Sequence, residues 1–324
     1  MTAVTIPHET APPRLPAWWT TQRPLIAAAL GGLLLLAIAA VGLALDPRTI
    51  TGAPAWMKPA KFALSTALYA VTMAWILRHI DGHRRLVSLI GWGTATVFAL
   101  ELALIVLQVV RGVRSHFNFV TPLDAALFSA MGAAITFALV LNVLAAVLMI
   151  RQRFADPVLA VSLRFGLVIT AIGAGVAFLM TQPTPDQLAA LQTGAAPVEI
   201  GAHSVGVGDG GPGLPIVGWS TTGGDLRIPH FVGLHALQVL PLLGLLLSRI
   251  GTALSQRRRV ALTWIGGVSY LILVGLLTWQ ALRGQPLLAP DAATVTALAF
   301  WLGGTLLSAA VAVAWPHAPQ GDRA

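Results

Sequence analysis

A carboxylate in the middle of a long apolar run, Glu101, is the side chain in this sequence that most strongly indicates chemistry. It lies in FALELALIVLQVV, residues 98–110. A carboxylate inside a membrane is costly unless it is paired or protonated, and such groups usually belong to binding or proton-transfer sites. Gln108 follows seven residues later and therefore lies on the same helical face. The alternative is that Glu101 only forms a structural hydrogen bond between helices.

A second pair of polar side chains, His235 and Gln238, lies in another apolar run, VGLHALQVLPLL. They are three positions apart in the sequence, so they share one face of a helix. Counted from the ends of their runs, His235, Gln238 and Glu101 lie about 8, 12 and 13 Å deep. These depths predict a hydrogen-bonded Glu101–Gln238–His235 cluster, which could carry a proton because histidine titrates near neutral pH. A histidine with a purely structural role is the alternative.

Charged and imidazole groups stand at the ends of these runs, in the segments WMKPAKF, RGVRSHFNF and GGDLRIPHF. Arginine side chains suit carboxylate or phosphate groups, and a lysine offers a compact ammonium instead. We therefore expect a rim around a polar site, formed by Lys58, Lys61, Arg111, Arg114, His116, Asp225, Arg227 and His230. Lipid anchoring is the alternative, with an ion pair from Asp225 to Arg227 or Arg114.

The histidines also allow a redox protein. His116, His203 and His230 are expected at or beyond the membrane surface, and with His235 they would suit b-haem, copper or zinc. The chain has no cysteine, which excludes thiolate ligands and disulfides. The sequence does not define a cofactor. A haem, metal or quinone site near His235 is the alternative to a binding or transport site, and a scaffold protein is a third.

The elements that must position these residues are membrane-spanning helices. Hydrophobic residues make up 56% of the 324 positions and charged residues 10%, where soluble domains carry roughly 25% charge. This composition predicts an all-α, polytopic integral membrane protein with about eight helices that span the bilayer. The expected spans are 25–45, 62–80, 86–110, 124–150, 158–180, 230–249, 260–282 and 294–315. The stretch before the second span, TGAPAWMKPAKF, is expected to be re-entrant or interfacial.

The distribution of arginines predicts the topology. Arginine clusters at 84–85, 151–153 and 257–259 place both termini in the cytoplasm of a plasma (inner) membrane protein. We expect a disordered tail over 1–23, a single bundle over 24–316 and a second tail over 317–324. The outer loop 181–229 begins with the capping-box pattern TPDQ, which predicts a short helix ending near Gly194. A Gly/Pro-rich stretch follows, as a lid or a flexible segment.

The partners expected from these features are the lipid bilayer and a small polar or anionic ligand. The net charge of +8 resides mainly in short loops, which suits anionic headgroups and not nucleic acid. The sequence leaves the oligomeric state open. The segments KPAKF, RGVRSHFNF and GGDLRIPHFVGLHALQ together resemble an uncharacterised family of bacterial multi-pass membrane proteins. That resemblance implies the same multi-pass topology and no particular activity.

Overall fold

The described part of the chain is a helical bundle with two short β-hairpins. A computed structural model describes residues 21–196, 198–249 and 253–314. Eight of the helices in these ranges are long and apolar enough to cross a membrane, which confirms the expected all-α architecture and is compatible with a multi-pass membrane protein. The spanning helices are α1 (Arg23–Leu45), α2 (Met57–Leu77), α3 (Arg84–Val110), α4 (Pro122–Arg151), α5 (Pro157–Met180), α7 (Arg227–Arg249), α8 (Gln256–Leu282) and α9 (Ala292–Ala314).

The remaining elements lie in the connections at one end of the bundle. Helix α6 (Pro185–Gln192) is the short helix predicted after the fifth span, and its capping box is formed by Thr184 and Gln187. The first hairpin pairs β1 (Thr49–Ile50) with β2 (Ala53–Pro54), and the second pairs β3 (Ser204–Val205) with β4 (Gly224–Asp225). We call this end the loop end. The tails predicted over 1–23 and 317–324 fall almost wholly outside the described residues.

The stretch before the second span does not form a separate re-entrant segment. It forms the β1–β2 hairpin and then enters α2 directly at Met57. The hairpin turn contains Gly52 with a φ of +74°, a conformation that suits glycine. Pro59 lies in the first turn of α2, where its missing N–H would have no helical partner in any case. The second span is therefore longer at its start than the apolar pattern predicted.

Helices α5 and α7 approach each other closely because both carry glycine at the crossing. A Cβ added at Gly173 would lie 2.5 Å from the Cα of Gly233. Next to this crossing, Thr170 of α5 donates a hydrogen bond to the carbonyl of Leu234. Small residues allow such close backbone packing in membrane bundles, where van der Waals contact replaces hydrophobic burial as the driving force. The crossing fixes the position of the first turns of α7.

The bundle is apolar at the end opposite the loops. The largest core cluster joins the start of α1, the end of α2, the end of α4 and the start of α5. Its members include the fully buried Leu25, Ile76, Met149 and Leu163. A much smaller cluster, which contains Phe117, packs at the loop end. The largest apolar core therefore lies in the half of the molecule opposite the loops.

Candidate functional site

The Gly/Pro-rich segment after α6 is folded onto the loop end of the bundle. Asn118 forms an antiparallel β-bridge with Glu199, and β3 pairs with β4. Gly201 packs against the carbonyl of Met180, 2.5 Å from where a Cβ would lie. A Cβ at Gly224 would overlap the carbonyl of Ala281. We call residues 198–226 the cover, since these contacts hold them over the ends of α3, α5 and α8.

Three of the expected rim residues hold the cover in place. Asp225 is buried, and it accepts hydrogen bonds from the backbone N–H of Ser220 at 2.8 Å and from Arg227 Nη2 at 2.6 Å. Arg227 also donates to the carbonyl of Gly218. Lys61 donates to the carbonyl of Val217 at 3.1 Å. The Asp225–Arg227 ion pair weighed from the sequence is therefore present, and these cations are engaged by the protein itself.

The two arginines after α3 are also paired. Arg111 Nη1 donates to Asp124 Oδ1 at 2.5 Å, and Gln108 Nε2 donates to the same oxygen at 3.1 Å. Gln108 and Asp124 are buried, so this cluster joins α3 to α4 inside the protein. Arg114 forms an ion pair with Glu199 of the cover. Nothing in the local sequence pattern links Asp124 or Glu199 to these arginines, so neither carboxylate was predictable as a partner.

Glu101 lies on the buried face of α3 together with Gln108, as their spacing predicted. Its Oε1 atom lies 3.6 Å from His116 Nε2, slightly beyond hydrogen-bond distance. Its Oε2 atom is buried and has no hydrogen-bond partner among the described residues. The ammonium of Lys58 interacts electrostatically with the Glu101 carboxyl. Glu101 therefore faces the loop end and two groups of the expected rim.

The predicted Glu101–Gln238–His235 cluster does not form. His235 Nδ1 lies 3.1 Å from Gln238 Oε1, and Gln238 Nε2 donates to Thr72 of α2 at 3.3 Å. The His235 ring packs against Phe231, with 4.2 Å between the ring centroids. Equal depth along two helices does not fix their rotation, and this face of α7 meets α2. The imidazole next to Glu101 belongs instead to His116, in the loop after α3.

His116 is held between aromatic rings and Glu101. Its Nδ1 atom lies 3.1 Å from Ser115 Oγ, and its ring centroid lies 5.8 Å from that of Phe62. Burial lowers the pKa of His116 well below its ordinary value, and the positive charge of Lys58 lowers it further. The imidazole is therefore neutral near pH 7. The contact between His116 and Glu101 therefore joins a neutral imidazole to a carboxyl group and is not an ion pair.

A His–Asp pair in the cover adds a second imidazole, that of His203, which was not among the expected rim residues. His203 Nδ1 lies 2.7 Å from Asp209 Oδ2, and the same carboxylate accepts the backbone N–H groups of His203 and Ser204. Burial opposes ionisation of Asp209, but these hydrogen bonds hold its pKa below the usual range. The carboxylate can only accept, so His203 carries its proton on Nδ1. Its Nε2 lone pair is left available.

His230 is oriented in the same manner by a different partner. Its Nδ1 atom lies 2.8 Å from the carbonyl oxygen of Gly173, which can only accept, so the proton is again on Nδ1. His116, His203 and His230 are close enough to interact electrostatically. The three histidines therefore lie near one another at the loop end, as the redox interpretation requires. Among the described residues, however, no group of three or more His, Asp or Glu side chains is arranged to hold a metal ion.

The polar groups at the loop end divide into two sets. Arg111, Arg114 and Arg227 are paired with carboxylates, and Lys61 is bonded to a backbone carbonyl. The second set has capacity for a further partner and consists of Lys58, Glu101, His116, His203 and His230. We call this second set the polar site.

Searches against protein-family models, curated proteins and solved structures find no match to the chain.

Proposed function

We propose that the protein binds a small polar or anionic molecule at the polar site and exchanges a proton with it through Glu101 and His116. The observation that carries this proposal is the buried Oε2 atom of Glu101, which lacks a partner among the described residues. A buried polar atom without a hydrogen bond costs about 1–3 kcal/mol. A ligand that supplies the partner would recover part of that free energy.

Lys58 is the group that favours an anionic ligand. Its ammonium makes no hydrogen bond with any residue that the structure describes, and it lies 5.7 Å from the centroid of the Phe62 ring. The neighbouring cation Lys61 is already bonded to the carbonyl of Val217. A carboxylate or phosphate oxygen would give Lys58 a charge-assisted hydrogen bond, which is stronger than one between neutral groups. The positive charge of Lys58 therefore favours an anionic ligand, and Glu101 would form a hydrogen bond with a polar atom of that ligand.

Proton exchange follows from the surroundings of Glu101. An ionised carboxylate with one buried, unpartnered oxygen is unfavourable, whereas a protonated one can donate that O–H to a ligand atom. The neutral His116 has its Nε2 atom 3.6 Å from Glu101 Oε1, near enough to take part once a ligand tightens the site. The Nε2 atom of His203 is a second acceptor in the same site.

The apolar half of the bundle supports a site that opens at one face only. The core cluster at the opposite end contains Leu25, Leu77, Ile90 and Met149, all buried. A transported polar molecule would have to pass this layer, since burying polar groups against such side chains is costly. We therefore favour binding, with or without chemistry, over transport. The arginine clusters favour a plasma-membrane protein whose loop end faces away from the cytoplasm.

A thermal-stability assay of the detergent-purified protein tests this proposal. The probes are inorganic phosphate, acetate, succinate and ethanolamine, each titrated over a wide range. A ligand at 100 times its Kd stabilises the folded state by about 2.7 kcal/mol. We expect one of the anionic probes to raise the Tm, and both Lys58→Gln and Glu101→Gln to abolish the rise. Arg153→Gln removes an exposed charge at the opposite end and serves as the control.

The proposal fails if none of the anionic probes raises the Tm. It also fails if the rise survives in both variants. The sidedness is tested separately, because the natural chain has no cysteine. A cysteine placed at Thr222, which is exposed in the cover, should react with a membrane-impermeant thiol reagent in intact cells. Labelling only after the cells are lysed would reverse the topology.

A membrane redox protein is the second candidate, and the orientation of two histidines favours it. His203 and His230 each donate Nδ1–H to an oxygen and leave Nε2 available, as metal-ligating histidines do. Haem or a metal would then be bound by Nε2 atoms at the loop end and not by His235. A visible absorption spectrum and elemental analysis of the purified protein distinguish the candidates. A Soret band that His203→Ala removes would favour the redox candidate.

A further inference from the structure

An open groove lies at the end of the bundle opposite the polar site. Its volume is about 360 Å³, and it is lined by Pro157 at the start of α5 and by Gln256, Arg257, Val260 and Ala261 at the start of α8. The lining combines an apolar wall with one exposed guanidinium. A groove of this kind lies at the level where the helices leave the apolar region, because both helices begin there.

The cation that lines the groove, Arg257, is exposed. Arg257 makes no ion pair with the described residues, and Arg258 and Arg259 follow it directly in α8. The neighbouring acid, Asp156, is occupied as the N-cap of α5 and as the acceptor of the Ser248 hydroxyl at 2.7 Å. Arg259 is turned toward the carbonyl of Ser248. Arg257 is therefore the cation left to meet an external anion at the groove.

We propose that this groove is a binding site for the headgroup of an anionic phospholipid. The phosphate would pair with Arg257, whose planar guanidinium suits bidentate contact with phosphate oxygens. The glycerol and the first carbons of the acyl chains would lie against Val260 and Ala261. A soluble anion would use only the guanidinium, whereas a lipid would use both parts of the lining. The site is independent of the polar site and of its ligand.

Native mass spectrometry of the detergent-purified protein tests the proposal, with phosphatidylglycerol and phosphatidylcholine as the added probes. We expect the wild type to retain phosphatidylglycerol in preference to phosphatidylcholine. Arg257→Gln removes one positive charge near the membrane surface and should therefore weaken phosphatidylglycerol binding about fivefold. Ala261→Leu fills the groove without changing any charge, and it should weaken binding as well. Arg85→Gln removes an exposed charge at the same end, at the start of α3, and should leave binding unchanged.

Three results would overturn the assignment. The first is equal retention of the two lipids by the wild type. The second is the same loss in Arg85→Gln as in Arg257→Gln, which would indicate diffuse attraction to the whole basic surface. The third is complete displacement of phosphatidylglycerol by glycerol 3-phosphate, which would mean that a soluble phosphate occupies the site. If Ala261→Leu fails to fold, Val260→Ala, which removes part of the apolar wall, replaces it.

Discussion

The structure predicts that Asp209→Asn loosens the cover without unfolding the bundle. The Asp209 carboxylate accepts four contacts, from His203 Nδ1 at 2.7 Å, from the Ser204 N–H at 2.8 Å, and from the His203 N–H at 3.0 and 3.1 Å to its two oxygens. The side chain is 12% exposed, so solvent screens these interactions little. Asparagine keeps one acceptor oxygen for the backbone, loses the charge, and presents an NH₂ group to one of these donors.

The magnitude follows from that loss. Hydrogen bonds to a charged group contribute about 1.5–3 kcal/mol each, and the carbonyl of asparagine retains part of the backbone contribution. A net cost of about 2 kcal/mol corresponds to a roughly 30-fold increase in the fraction of molecules with an open cover. The global stability changes less, because the spanning helices do not depend on this carboxylate. The effect is therefore local to residues 198–210.

Hydrogen–deuterium exchange measured by mass spectrometry is the assay. Peptides that contain the backbone N–H groups of His203 and Ser204 should exchange roughly 30-fold faster in Asp209→Asn, while peptides from α5 and α7 keep their rates. Asp186→Asn is the matched control, since Asp186 is an exposed acid on α6 in the same connection. A change below about threefold, or an equal change in the control, would refute the role given to Asp209.

Three further predictions concern packing, charge and pH. Gly173→Ala places a methyl group against Gly233 and should destabilise the protein by about 1–3 kcal/mol, whereas the matched variant Gly175→Ala, which meets nothing within 4 Å, should leave the Tm nearly unchanged. Asp124→Asn breaks the ion pair between Asp124, whose side chain is only 3% exposed, and Arg111. This change should lower the free energy of unfolding by about 3 kcal/mol. Breaking the exposed pair of Asp291 with Arg283 by Asp291→Asn should change the stability far less, because solvent screens exposed ion pairs. Burial, and secondarily the charge of Arg227, keep the pKa of His203 low in the closed cover although Asp209 opposes this. The open form therefore takes up a proton more readily, and the protection factors of the cover amides, which are corrected for the intrinsic pH dependence of exchange, should decrease as the pH falls below about 6.5.

The spans were predictable because each depends on a local property. Length and hydropathy determine whether a segment can cross a bilayer, and all eight expected spans coincide with helices to within about five residues. The short helix α6 was predictable for the same reason, since a capping box is a pattern of four consecutive residues. The joint burial of Glu101 and Gln108 followed from their spacing on one helix.

The pairing of polar groups was not predictable from local patterns. The sequence predicts how deep a side chain lies along its helix. It does not predict how α3 and α7 are rotated about their axes, which decides whether two side chains at the same depth face each other. The partner of Arg114 is Glu199, which is 85 residues away and is positioned by the path of the cover. Asp209 lies in a glycine-rich turn, a common place for aspartate with a merely local role. Its pairing with His203 depends on how that turn folds back.

Infrared difference spectroscopy on Glu101 tests the central claim most directly. The spectrum is recorded with and without the anionic probe that raises the Tm, for the wild type, Glu101→Gln and the surface control Asp291→Asn. We predict a ligand-induced change in a carboxylic-acid C=O band that is present in the wild type and in Asp291→Asn and missing in Glu101→Gln. A ligand that binds with no carboxyl band change in the wild type, or a band change that persists in Glu101→Gln, would contradict the account.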